Sequence, residues 1–268
     1  MKWWLGLLGL FSCSMTSAKV LELYTETFPP YNFSVNSQLA GINTDLITEA
    51  CERAKIECNI SLLPWKRAYR NAQLAPNRGV FSTSRTPQRE EKFIWVGPLA
   101  SSYSCIYRLR DREDIKLESR KALRRYTIGI PRGDIYESVL KNIGLVEYDH
   151  YLTYAKKNED IILFENGKLD LIIGSSLTLG YQLSNVDLTP KDVVPVLELE
   201  DKLLVGNFLA LNKNTSPDII SDLQTAIDEL KAEKYIERLV AHYVDSQLDQ
   251  TMPVAEHLKS CLSGEVKY

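Results

Sequence analysis

The sequence predicts an α/β fold built as two lobes with a cleft between them, and three observations carry that expectation. Strand-like and helix-like segments alternate through most of the chain. The alternation occurs as two series, residues 20–84 and 126–175, a rhythm that argues for parallel sheets with helical cover. Two long apolar strands flank the second series, so the chain leaves a first lobe and later returns to it.

Taken in order, VLELYTE (20–26) reads as a strand, and NTDLITEACERAK as a helix with Leu46, Ile47, Ala50 and Ala54 on one face. CNISLLP is a strand, WKRAYRNAQL a helix and RGVFST a strand. SSYSCIYRLRDREDI is an apolar strand that runs into a charged segment. The second series comprises YTIGIP (126–131), the helix YESVLKNI, a short strand near EYDHYL, the helix NEDIILFENG and the strand LDLIIGS. KLLVGNFLALNKN reads as a long returning strand, and Ser216 and Pro217 open a long C-terminal helical region. The expected organisation is a leader in 1–18, a first lobe in 19–107 and a second lobe in 108–204. The first lobe resumes in 205–247, and 248–268 form a tail.

The opening MKWWLGLLGLFSCSMTSA has one lysine, an apolar run from Trp3 to Phe11, and small residues up to Ala18. That is the layout of a secretory signal peptide, and the run is too short for a mature membrane span. Leu10-Phe11-Ser12-Cys13 forms a loose lipobox in which Phe11 fits poorly, so cleavage after Ala18 is preferred to lipidation at Cys13. An exported, periplasmic chain follows. Cleavage removes Lys2 and no acid, taking the formal charge from −3 to −4. With no basic patch and no later membrane-crossing segment, nucleic acid and bilayer are poor candidates as partners.

Cysteines in an exported chain point to disulfides. Cys51 lies near the end of a helix and Cys58 begins the next strand, a geometry that a disulfide closes easily. Metal binding is the rival there, but no histidine is near and the spacing is wrong for a zinc pair. Cys105 and Cys261 make a weaker candidate pair, because the path of the tail is not set by sequence.

The stretch GVFSTSRTPQREEKFIWVGPL (79–99) carries the chemistry. A buried strand ends in Ser82, Thr83 and Ser84, Pro87 opens a helical turn, and Arg85 and Arg89 follow. Hydroxyls, backbone N–H groups and a fixed cation at one corner suit an anion. Solvated arginines on a surface turn are the alternative reading of the stretch alone.

The chain resembles the bacterial extracellular solute-binding proteins of family 3, the periplasmic receptors that deliver polar amino acids to ABC importers. TFPPYNF, GINTDLITEAC, the Cys51/Cys58 pair, SRTPQREEKF, IGIPRGDIYESVL, ENGKLDLIIGS and ELKAEKYIERLVAHYV occur in that family's order, from about Val20 to Asp245. The resemblance implies a periplasmic-binding-protein-like fold, two α/β lobes joined by two hinge strands and closing on a small ligand. It implies no cofactor, a monomer, and an ABC permease as partner.

By resemblance, Phe28 and Trp65 stack on the ligand, Arg89 forks onto its carboxylate, and Ser84 adds a hydroxyl. In the second lobe the donor loop is Gly133-Asp134-Ile135-Tyr136. The acid that takes the ligand's ammonium falls at Ser175, where this sequence departs from the pattern. An ammonium with no carboxylate partner in a closed cleft would cost several kcal/mol. Either Asp134 supplies the charge or the ligand lacks an α-amino group. Arg67, Arg85 and Arg132 are additional candidate donors. A stand-alone sensor domain is an alternative role. An enzyme is the less favoured one, since no G-x-S-x-G, P-loop or clustered histidine is present.

Overall fold

The computed structural model describes residues 19–155, 158–244 and 254–268. The leader and Cys13 lie outside the described residues. The chain opens with β1 (Lys19–Thr25), whose Leu21 and Leu23 are fully buried on one face, as the two-residue period of a strand requires. A hairpin follows, β2 (Phe33–Val35) and β3 (Gln38–Ala40), turning at Asn36 and Ser37 with φ of 51° and 66°. Next come α1 (Ile42–Arg53), β4 (Ile56–Leu62), α2 (Trp65–Gln73), β5 (Arg78–Ser84), the single turn α3 (Pro87–Glu90) and β6 (Phe93–Leu99).

The second lobe holds β7 (Ser104–Leu109), β8 (Ile128–Pro131), α4 (Ile135–Asn142), β9 (Tyr151–Tyr154), α5 (Glu159–Glu165), β10 (Leu171–Ser175), α6 (Leu179–Leu183) and β11 (Val193–Glu198). The chain then returns through β12 (Asn207–Asn212), α7 (Pro217–Ala232) and α8 (Tyr235–Tyr243).

Each lobe is built on one five-stranded sheet, ordered β4-β1-β5-β12-β6 in the first and β11-β7-β10-β8-β9 in the second. The helix-connected strands pair in parallel, β1 with β4 and β5, and β8 with β9 and β10. The strands next to the crossings pair antiparallel, β12 with β5 and β6, and β7 with β10 and β11. The sheets are therefore mixed rather than purely parallel. A strand that arrives from the other lobe has no crossover helix to bring it into line with its neighbours.

Both faces of the second sheet are covered, which explains its continuous apolar strands. Leu171 and Ile173 pack on one side with Val139 and Leu140, and Ile172 packs on the other with Phe164 and Tyr107. The first lobe's core gathers Leu21, Ile47, Phe81, Leu209 and Ile227.

The first crossing runs through residues 100–103, ahead of the 107 boundary expected from sequence, because β7 pairs in the second sheet from Ser104 onward. The return is shorter as a strand than KLLVGNFLALNKN suggests. Lys202–Leu204 form a 3-10 turn in which the Asp201 carboxylate accepts from the Leu203 N–H at 2.8 Å, and the strand begins at Asn207. The C-terminal helical region is broken at Lys234, whose φ of 55° turns α8 so that Ile236, Leu239 and Val240 meet the first lobe's core.

Two disulfides are present. Cys51 and Cys58 join α1 to β4 with Cα atoms 6.2 Å apart. Cys105 and Cys261 join β7 to the tail with Cα atoms 5.9 Å apart.

Candidate ligand-binding site

On the first lobe the site begins where β1 ends. The chain folds back so that the N–H groups of Tyr31 and Asn32 donate to the Phe28 carbonyl, and the Phe28 N–H donates to Asn32. This small closed loop presents the Phe28 ring, 39 % exposed, beside Tyr31 at 5.1 Å between centroids. Gly41 supports the loop from below, because a Cβ there would lie 2.5 Å from the Tyr31 carbonyl oxygen.

The corner between β5 and α3 sets Arg89. Its Nη1 donates to the Thr83 hydroxyl at 3.2 Å and to the Ser84 carbonyl at 3.1 Å. Its guanidinium carbon lies over the rings of Trp65 and Tyr69, one helical turn apart on α2, at 5.1 and 5.5 Å. Burial lowers the pKa of Arg89, against the opposing influence of Tyr69, Asp134 and Glu26. A guanidinium stays protonated in proteins regardless. It carries five N–H donors, so these two bonds to protein leave donors for an anion.

On the second lobe, Asp134 caps α4 by accepting the Tyr136 N–H at 3.0 Å. Gly133, with a φ of 82°, makes the turn into that cap. Asp134 keeps part of its surface in solvent, yet it lies deep enough between the lobes that burial pushes its carboxyl up to about 6. Asp160 and Glu137 add to the rise, and the hydrogen bond from Tyr136 opposes it.

A row of hydroxyls lines the seam below. Tyr31 shares a hydrogen bond with Ser102 at 3.1 Å, and Tyr136 shares one with Ser104 at 3.0 Å. Burial raises the Tyr31 phenol to about 12, while the hydroxyls of Ser102 and Ser175 pull it down. Tyr136 is also raised, by burial first and by Asp134 next. Ser175, 6 % exposed at the end of β10, shares a 2.9 Å hydrogen bond with the Thr178 hydroxyl.

On the first lobe Phe28 lies beside Tyr31, and Trp65 lies against Arg89; on the second, Asp134 is within electrostatic reach of Arg89, Tyr136 bonds to Ser104, and Ser175 bonds to Thr178. Ser84 also holds Arg89 through its carbonyl, beside the Thr83 hydroxyl. The Ile135 side chain packs against the second lobe's core, which leaves its backbone as its part of the loop. Among the additional arginines, Arg85 is paired with Glu90 and lies near the rings of Trp95 and Phe208. Arg132 donates to Thr153 at 3.4 Å from an exposed position. Thr83 was already visible in the hydroxyl cluster that ends the strand, whereas Tyr31, Tyr69, Ser102 and Ser104 escaped the sequence reading. Of these four, Tyr31 had a signal, its place in TFPPYNF.

Residues 23–246 match the bacterial extracellular solute-binding proteins, family 3. The chain belongs to that family. This solute-binding protein is 24 % identical over 227 residues to a probable histidine-binding protein of Campylobacter jejuni, covering 81 % of each chain. Its fold is that of a Salmonella typhimurium periplasmic binding protein described as highly specific for arginine. There the TM-score is 0.65 at 16 % identity, over 85 % of this chain and 100 % of the other. A histidine kinase sensor domain shares the fold as well, with a TM-score of 0.69 at 16 % identity over 85 % and 96 % of the two chains. No helix among the described residues is long and apolar enough to cross a membrane.

Proposed function

We propose that this solute-binding protein works in the periplasm, capturing a small carboxylate-bearing, amino-acid-like ligand between its lobes and delivering it to an ABC permease. The observation that carries the reading is the setting of Arg89. It is a half-buried cation held by Thr83 and Ser84, lying over two aromatic rings and within electrostatic reach of Asp134 on the opposite lobe. The ligand's carboxylate goes to Arg89, and its apolar body lies against Phe28 and Trp65. The ammonium goes to Asp134, because Ser175 carries no charge and its hydroxyl is committed to Thr178. The histidine-binding relative and the arginine-specific structure support a ligand of the amino-acid class.

The protein acts as a monomer and turns nothing over in this reading. Native mass spectrometry of the purified chain, followed by calorimetry against histidine, arginine and their keto-acid analogues, tests it. Saturation should lower the radius of gyration as the lobes close on a ligand touching both. Failure of every amino acid and keto acid to bind would overturn the ligand class, and appearance of a product mass would overturn the non-enzymatic reading.

A second reading is favoured by the fold shared with a histidine kinase sensor domain, namely that the closed form signals to a membrane partner instead of feeding an importer. Genes for a permease and an ATPase beside this one would support import, and a gene for a membrane kinase would support sensing.

A further inference from the structure

The tail from residue 254 onward lies beyond residue 246, where the family match ends, and it touches both lobes. It first lies on the second lobe. Leu258 and Cys261 are buried there with Tyr107 and Ile172, and Tyr107 donates its hydroxyl to the Cys261 carbonyl at 3.0 Å. Cys261 is disulfide-linked to Cys105 at the start of β7. The tail then runs back along the first crossing in the antiparallel sense. The N–H of Ser101 donates to the Lys267 carbonyl at 2.9 Å, and the N–H of Lys267 donates to the Ser101 carbonyl at 2.8 Å. Lys267 Nζ sits 3.8 Å from the centre of the Tyr103 ring. Val266 packs against the first lobe's core, and Tyr268 donates to Glu237 on α8 at 2.7 Å.

Hinge motion needs a few residues whose φ and ψ can change. The tail takes that freedom from the first crossing, because it is anchored at Cys105 on one lobe and at Ser101 and α8 on the other. Ala100 is held as well, by Asn43 and Asn207. We propose that the tail is a splint on the hinge, an addition that limits how far the lobes open when no ligand is bound. The physical consequence is pre-organisation, since an open ensemble held nearer to closure loses less freedom when ligand binds.

The test needs no ligand, so its failure is separate from any failure of the binding reading. A chain ending after Gly264 keeps the disulfide but loses Val266, Lys267 and Tyr268. A full-length Lys267→Pro variant removes the N–H that the Ser101 carbonyl accepts and the ammonium over the Tyr103 ring, and it keeps Val266 and Tyr268. In each, hydrogen exchange and small-angle scattering are measured on the ligand-free protein. The splint predicts a larger radius of gyration than the parent chain has. It also predicts amide exchange faster by about 3- to 10-fold at Ser101, as expected for one lost hydrogen bond. The Leu199 N–H, which donates to the Ser104 carbonyl in the second crossing, should exchange faster too. Faster exchange confined to residues 101–103 with an unchanged radius of gyration would overturn the proposal. So would loss of protection at Leu21 and Ile172 in both variants, since the tail would then be a folding element of both cores.

Discussion

The guanidinium of Arg89 lies 5.1 Å from the ring centre of Trp65, and the two residues come from different βα corners of the first lobe. Their contact follows from strand order. β5 runs beside β1, and α2 packs over both, so the start of α2 faces the end of β5. The aromatic face offsets part of the cost of desolvating the cation, a contribution of about 0.5–2 kcal/mol. The cation is thereby set in place before any anion arrives.

Arg89→Ala is expected to weaken ligand binding by roughly 2–4 kcal/mol, on the order of 30- to 1000-fold. Arg89→Lys should recover only part of that, because a point charge cannot fork onto two carboxylate oxygens. Calorimetry on the two variants decides it, and unchanged affinity in Arg89→Ala would remove the residue from the site.

Asp134 predicts opposite pH dependences for binding and for stability. Its folded-state carboxyl titrates at about 6, above its ordinary value of 3.8, with Asp160, Glu137, Tyr136 and Arg89 as the surrounding charged and titratable groups. Between those two values the folded chain binds more protons than the unfolded chain. This group's contribution to stability therefore grows as pH falls through 6 and is lost as pH rises through it. Ligand affinity should instead drop as pH falls through 6, since the protonated carboxyl no longer holds an ammonium. Asp134→Asn should flatten both profiles, measured by thermal unfolding and calorimetry between pH 4.5 and 8.

The hydroxyls of Tyr31 and Ser102 share a buried hydrogen bond at 3.1 Å. Tyr31→Phe should cost about 0.5–1.5 kcal/mol, the usual worth of a buried hydrogen bond. A double-mutant cycle with Ser102→Ala should show coupling of at least about 0.5 kcal/mol in denaturant unfolding. Simple additivity of the two substitutions would mean the hydroxyls do not interact.

The Cys51–Cys58 link staples α1 to β4, an edge strand of the first sheet. Replacing both cysteines by alanine should lower stability by about 2–3 kcal/mol, a modest effect because the closed loop is short. Non-reducing peptide mapping should find the pair joined in the exported protein, and free thiols at both positions would contradict it.

The local grammar of this chain is plain in its sequence. The alternation of VLELYTE and the single apolar face of NTDLITEACERAK are periodic signals, and α1 and β1 form where those signals lie. The corner at 79–99 announced its helical turn through Pro87, because capping and turn chemistry are read from neighbouring residues. The short Cys51–Cys58 spacing set that disulfide for the same reason.

Tertiary structure decided whatever depended on distant segments. Arg89 meets the Thr83 hydroxyl and the Ser84 carbonyl together, contacts that depend on how α3 folds back over the end of β5. Asn43 grips Ala100 through backbone atoms, and a carbonyl leaves no mark in a residue name. The antiparallel entry of β7 and β12 follows from a chain that crosses between lobes, a path with no local periodicity to reveal it. The tail is the clearest case. Cys105 and Cys261 are 156 residues apart, and nothing near either one specifies the other. Their meeting goes with the burial of Leu258 against the second lobe's core, so only the assembled core could bring the chain's end back to the first crossing.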